Sequence, residues 1–238
     1  MPRFFCNEIY ENEAHIVGDD AKHISKVLRM REGEPLTIND MQGFDYDCEV
    51  LELGEVVKLH ILRKYKNETE PSVKITLYQC LPKGDKLDFI IQKAVELGVC
   101  TIVPVASKFC VAKADKDTFE KKLLRYNKIA FEAAKQSGRG IIPEVLSIIS
   151  FRDAVLRAKN TNSIIFYEHG GERVCNLVSE DVKEVSMFIG SEGGFCEDEV
   201  QLALQNGIAA ATLGKLILRC ETAPIAGLAL VLSSTENM

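Results

Sequence analysis

From residue 73 onward the sequence switches repeatedly between short apolar runs of strand length and longer stretches with helical spacing. Residues 73–81 read as a strand, 86–97 as a helix stopped at Gly98, and 101–106 as a second strand. Residues 116–137 read as a long helix, with Phe119, Leu123, Tyr126, Ala130 and Ala133 recurring along one face. Then follow strand 144–148, helix 151–159, strand 163–167, strand 185–189, helix 197–205, strand 210–213 and helix 222–233. Parallel strands need long crossovers, so this alternation predicts a mostly parallel sheet covered by helices on both faces. Ligands of such open sheets bind at the carboxyl ends of the strands. The loops after Tyr167, Ile189 and Leu213 are therefore expected to carry the chemistry.

The preceding seventy residues have a different rhythm. Residues 36–40, 46–53 and 57–62 read as short strands broken by polar turns such as Met41-Gln42-Gly43, a pattern that suggests a small β-barrel. Residues 64–72 are polar, lack periodicity and contain Pro71, so the domain boundary is placed there. The expected organisation is an N-terminal domain over 1–70 and an α/β domain over 71–238.

At 238 residues with 46% hydrophobic and 27% charged side chains, the chain can bury a sizeable core without a staple, which excludes disordered, collagen-like and coiled-coil classes. The longest uncharged apolar stretch, 222–235, is too short to span a bilayer and contains Pro224 and Gly227. The N-terminus reaches Glu8 and Glu11 without an apolar core, unlike a signal peptide, so a cytoplasmic location is expected. The eight cysteines are at least ten residues apart and none stands in a paired metal-ligand spacing, so free thiols and no metal site are expected. Charge is uneven: 9 basic against 15 acidic residues over 1–70, 13 against 8 over 71–150, and 7 against 12 over 151–238. A basic middle in an acidic chain is compatible with a nucleic-acid partner held locally.

The loop after Ile189 reads Gly190-Ser191-Glu192-Gly193-Gly194-Phe195, and Glu197, Asp198 and Glu199 open the next helix. It has no dinucleotide fingerprint, no phosphate-loop lysine and no nucleophile elbow. Carboxylates at a helix start complement its dipole but repel phosphate, so a cationic or zwitterionic ligand fits better than a nucleotide phosphate. The alternative is a glycine-rich turn with an acid-capped helix. The last loop, Gly214-Lys215-Leu216-Ile217-Leu218-Arg219-Cys220-Glu221-Thr222-Ala223, exposes apolar side chains that an adenine ring would cover. Thr222 is placed to cap the final helix, and Arg219 and Glu221 either serve a ligand or pair to fix the loop.

With these loops in view, the sequence resembles the ribosomal RNA small subunit methyltransferase E (RsmE) family, of the SPOUT class of knotted methyltransferases. The likeness runs through Met1-Pro2-Arg3-Phe4-Phe5, the His23–Gly33 run, Leu81-Pro82-Lys83-Gly84-Asp85-Lys86, Gln92-Lys93-Ala94-Val95-Glu96-Leu97-Gly98, Lys128-Ile129-Ala130 and Glu132-Ala133-Ala134-Lys135-Gln136-Ser137-Gly138-Arg139, besides the two loops. The usual pattern is broken in three places. Ser191 replaces a proline, Leu216 an arginine, and Ser107-Lys108-Phe109-Cys110-Val111 a Ser-x-Arg-Ser-Val run.

The resemblance implies a C-terminal SPOUT α/β trefoil-knot domain with a small N-terminal PUA-like β-barrel, acting as a homodimer. It implies S-adenosylmethionine bound by Tyr167, Glu168, Ile189, Gly190, Glu192, Gly193, Leu213, Gly214, Ile217, Leu218, Arg219, Thr222 and Ala223. The implied reaction is methylation of N3 of a uridine in 16S (small-subunit) ribosomal RNA, on a base flipped out to present that edge. Arg219 is expected to stabilise charge on the uracil carbonyls, with Glu192 orienting the loop or accepting the proton. RNA phosphates are expected to meet Arg3, Lys22, Lys26, Arg29 and Arg31 in the first domain. In the second, Lys83, Lys86, Arg125, Lys128, Lys135 and Arg139 are expected to do so, with Gln136 binding RNA near the active face, and the expected substrate is the assembled small subunit. Two alternatives stay open: ribose 2′-O-methylation, whose enzymes share the form of Gly190-Ser191-Glu192-Gly193, and a catalytically silent rRNA-binding factor.

Overall fold

The computed structural model describes residues 1–110 and 116–238; Val111, part of the run that departs from the family pattern, lies outside them. The chain divides into two compact units, Met1–Glu70 with Ala134–Ile142, and Pro71–Ala133 with Pro143–Met238.

In the first unit, strands β1 (Arg3–Phe5), β2 (Glu8–Ile9), β3 (Glu13–Ile16), β4 (Pro35–Asn39), β5 (Phe44–Glu52) and β6 (Val57–Lys66) form a six-stranded sheet. Its order is β1-β4-β5-β6-β3-β2, antiparallel except for the β1–β4 pair. Alternate residues of β4 to β6, among them Leu36, Ile38, Cys48, Val50, Val57 and Leu59, turn inward onto one core with Phe4, Ala14, Ile16 and Ile24. Helix α1 (Gly18–Lys22) and a π-helical turn (His23–Val27) supply Ala21 and Ile24 to that core. The short β1 to β3, too brief to show a period, were not anticipated from sequence. Nor was the strand character of Lys64-Tyr65-Lys66, read as linker: these residues close β6, paired with Tyr46, Asp45 and Phe44. Their polarity reflects an exposed strand end rather than a break.

The unit is tied to Ala134–Ile142 by buried polar groups. Arg3 donates to Asp45 Oδ1 and to the Arg139 carbonyl, both at 2.9 Å. Glu70 accepts from Arg139 Nη2 at 2.6 Å and from the amides of Gly140 and Ile141.

The second unit holds β7 (Lys74–Cys80), α2 (Lys86–Glu96), β8 (Thr101–Ala106), α3 (Lys116–Ser137, its last turn in the first unit), β9 (Glu144–Val145), β10 (Ile149–Ser150), α4 (Phe151–Ala158), β11 (Asn162–Phe166), α5 (Val174–Leu177), β12 (Glu184–Ile189), α6 (Glu197–Gln205), β13 (Ala209–Ala211) and α7 (Ala223–Ser234). The sheet is parallel throughout, in the order β10-β8-β7-β12-β11-β13, with β9 also on β8. Of the strand expected over 144–148 only Glu144–Val145 forms, and a second short strand follows at Ile149–Ser150. Because side chains alternate, the two faces bury different sets. Tyr78 stacks on Phe188, centroids 4.5 Å apart, and packs with Phe151, Val155 and Val200 of α4 and α6. On the other face α7 approaches so closely that a Cβ on Gly227 would lie 2.8 Å from Met187. This is the mixed α/β class expected, with a parallel sheet sandwiched between helices. Among the described residues no helix is long and apolar enough to cross a membrane.

Candidate active site

Strands β7, β11, β12 and β13 run in one direction, so Cys80, Phe166, Ile189 and Ala211 end at one edge of the sheet. The segments leaving that edge enclose a cavity of about 400 Å³, within the size range of small-molecule sites. Tyr167, Glu168, Ile189, Gly190, Glu192, Leu213, Gly214, Ile217, Leu218, Arg219 and Ala223, all singled out in the sequence, line it. Gly193 and Thr222 do not. Gly193 instead passes under Phe109, whose Cβ would lie 2.9 Å from an added Cβ. Thr222 does not cap α7 with its side chain, because it already has helical dihedrals and its amide donates to the Arg219 carbonyl at 2.9 Å. Leu216, read in the sequence as part of an exposed apolar run that a ring would cover, lines the cavity too; sequence reasoning missed Phe166, Ser191, Gly194, Thr212, Lys215 and Cys220 as lining residues, and assigned Lys86 to RNA.

One wall is the glycine loop. Gly194 sits at φ +66°, and a Cβ there would come 2.6 Å from the Glu168 carboxylate, so only glycine lets that acid reach the wall without strain. Glu192 accepts from Lys86 Nζ at 2.9 Å and from the Lys83 amide at 3.1 Å. Burial works against its ionisation, but the Lys86 ammonium and the amide donors outweigh burial and hold the carboxyl at about 2. Lys86 also reaches Glu221 at 3.3 Å, and its own pKa is raised, first by Glu192 and, against burial, by Glu221. Burial, reinforced by the hydrogen bond to Glu221, pushes the Cys220 thiol up to about 12. It is therefore a protonated, unreactive thiol at neutral pH.

The opposite wall is the last loop. Leu216 and Ile217 are 81% and 86% exposed, far from the burial their chemistry favours. Arg219 is exposed, and among the described residues its side chain has no recorded hydrogen bond or ion pair. At the start of α6 the three acids are committed. Glu199 accepts from the Cys196 amide at 3.1 Å as a cap, Glu197 from Tyr167 Oη at 3.2 Å, and Asp198 pairs with Lys108.

The cations expected on RNA fall into two groups. Engaged with acids are Arg3 (Asp45), Lys22 (Asp19), Lys86 (Glu192, Glu221), Arg125 (Asp88), Lys135 (Asp20) and Arg139 (Glu70). Arg139 is only 5% exposed, which puts it in the core of its unit rather than on a surface. Lys26, Arg29 and Arg31 are exposed together around the π-helical turn, Arg29 at φ +53°; Lys83, Lys128 and Gln136 are exposed as well.

Comparison with known proteins agrees with this geometry. Residues 69–232 match the RNA methyltransferase domain family, and residues 16–57 the RNA methyltransferase PUA domain. The chain is 35% identical over 231 residues to ribosomal RNA small subunit methyltransferase E of Bacillus subtilis, covering 93% of this chain and 90% of that one. It is 34% identical over 226 residues to the protein of that name from Mesomycoplasma hyopneumoniae, covering 94% and 96%. Among solved structures, ribosomal RNA small subunit methyltransferase E from Neisseria gonorrhoeae, bound to S-adenosylmethionine, superposes with a TM-score of 0.86 at 34% identity over 98% and 97% of the two chains. With one strand-edge cavity, two matched domains and relatives aligned along nearly its whole length, the chain belongs to the ribosomal RNA small subunit methyltransferase E family.

Proposed function

We propose that this chain is an S-adenosylmethionine-dependent methyltransferase of small-subunit ribosomal RNA, and that the methyl goes to N3 of a uridine. The observation that carries the reading is the pairing, in one cavity, of an acid-bearing glycine wall with a wall of exposed Leu216, Ile217 and Arg219. These residues fit the cofactor. Glu168 and Glu192 suit a cationic, phosphate-free ligand, and the exposed aliphatic pair offers cover to a flat ring. When bound, S-adenosylmethionine supplies a methyl already activated on a sulfonium, which departs as a neutral thioether.

The remaining work falls to the chain's residues. The uracil must lose its N3 proton, which passes to solvent water, and be aligned for in-line attack. Arg219, exposed on the cavity wall, is placed to stabilise the negative charge that spreads onto the uracil carbonyls. Glu192, ionised down to about 2, is too weak a base for that proton at neutral pH and orients the loop instead. The exposed Lys26, Arg29 and Arg31 are the phosphate contacts that the first unit offers. Homodimeric assembly, a cytoplasmic setting and the assembled small subunit as substrate belong to the same reading.

Incubation with labelled S-adenosylmethionine and unmodified small ribosomal subunits, followed by nucleoside mass spectrometry, tests it. The expected product is labelled 3-methyluridine. A labelled 2′-O-methylnucleoside would move the target to ribose, and cofactor binding without any label would leave an rRNA-binding factor.

A further inference from the structure

Lys86 opens α2, yet its side chain turns away from the helix to meet two loops far along the chain. Its Nζ lies 2.9 Å from Glu192 Oε1 on the glycine loop, 3.3 Å from Glu221 Oε2 and 3.7 Å from Cys220 Sγ on the last loop. The Cys220 thiol donates to the same Glu221 oxygen at 3.2 Å, and the Lys83 amide completes the set on Glu192. One ammonium thus joins three segments that leave different strands. Without it, two carboxylates would meet at a half-buried site, where like charges repel.

We propose that Lys86 is a positioning residue of the methyl-transfer site, a cationic rivet that joins the glycine loop to the last loop and shapes the cofactor cavity. Its task is distinct from phosphate contact, because its three N–H donors face Glu192, Glu221 and the Cys220 sulfur. A cavity held in shape before the ligand arrives spares the ligand the ordering of those loops. The inference rests on the proposed cofactor.

The groups facing Glu192 are the Lys86 ammonium and the Lys83 amide from the segment before α2, with Glu221 and Cys220 from the last loop. Removing the ammonium returns Glu192 toward its ordinary range with only an amide donor against a neighbouring acid. Affinity then acquires a pH dependence that wild type lacks.

The test measures S-adenosylmethionine affinity of wild type, Lys86→Gln and Lys86→Arg from pH 5 to 8, with RNA affinity across ionic strength. Lys86→Gln is expected to bind the cofactor about tenfold more weakly at neutral pH, and to recover toward pH 5 as one carboxylate takes a proton and the repulsion is relieved. Lys86→Arg, which keeps the charge, is expected to recover most of the affinity and the flat profile. The slope of RNA affinity against salt is expected to be the same in all three. A Lys86→Gln chain with wild-type affinity and a flat profile would overturn the proposal. So would a salt slope reduced by about 1, the signature of a lost phosphate contact. A wild-type chain that binds no S-adenosylmethionine would remove the proposed cofactor, and this inference with it.

Discussion

The two walls of the cavity are built on opposite principles. The glycine loop is fixed by hydrogen bonds before any ligand arrives: Glu192 is held by Lys86 and Lys83, and Glu168 fits against Gly194. The last loop has its apolar residues in solvent and an arginine with no recorded partner among the described residues. A fixed wall gives up little entropy on binding and sets the ligand's position. An open wall keeps its side chains for whatever enters next. On the proposed reading the first wall anchors the ligand, while the second gives it apolar cover from Leu216 and Ile217 and holds Arg219 for the reaction.

Three variants sharpen or break that assignment. Gly194→Val puts a branched side chain at a positive φ, a strain of about 1–3 kcal/mol, and drives Glu168 from its place. If the loop relaxes by distorting the wall, cofactor affinity falls by up to about a hundredfold in a calorimetric titration. Wild-type affinity would show that this wall is not the binding element.

Leu216→Ser with Ile217→Ser removes the aliphatic cover. Burying one such side chain is worth about 1.5–3 kcal/mol when complete, and these two are covered only in part, so a loss of about tenfold in affinity is expected. The folded chain should keep its thermal midpoint, because neither residue is buried.

The smallest effect is electrostatic. Despite burial, hydrogen bonds from Lys86 and the Lys83 amide hold the Glu192 carboxyl down to about 2, against an ordinary 4.5. Its stabilising contribution is therefore complete above about 4.5 and is lost as the pH falls toward 2. Unfolding followed over that window should show a component that Glu192→Gln lacks. An identical acid profile in both chains would mean that Lys86 does not hold the carboxylate in solution.

The fold was largely legible because the second unit obeys its periods. Phe119, Tyr126, Ala130 and Ala133 mark out α3 at the bounds expected, and α6 likewise spans the residues that the pattern indicates. β1 to β3 run for only two to four residues, too few for alternation to appear. The cavity was legible through its loops, since glycines and exposed aliphatics are local signals. The partners of the cations were not. Arg139 finds Glu70 from 69 positions away, and Lys86 finds Glu192 from 106. No spacing rule reaches that far. A lysine bound for a phosphate and one bound for a distant carboxylate look the same until the chain is folded.

The assignment of the reaction, rather than cofactor binding, to Arg219 is tested most directly by Arg219→Ala, with S-adenosylmethionine affinity and single-turnover methyl transfer to small subunits measured on the same preparation. Affinity is expected to stay within about twofold of wild type, while the rate falls by about 10²–10³, the usual cost of removing a charge-stabilising donor. Equal rates, or a loss that appears wholly in affinity, would contradict the assignment.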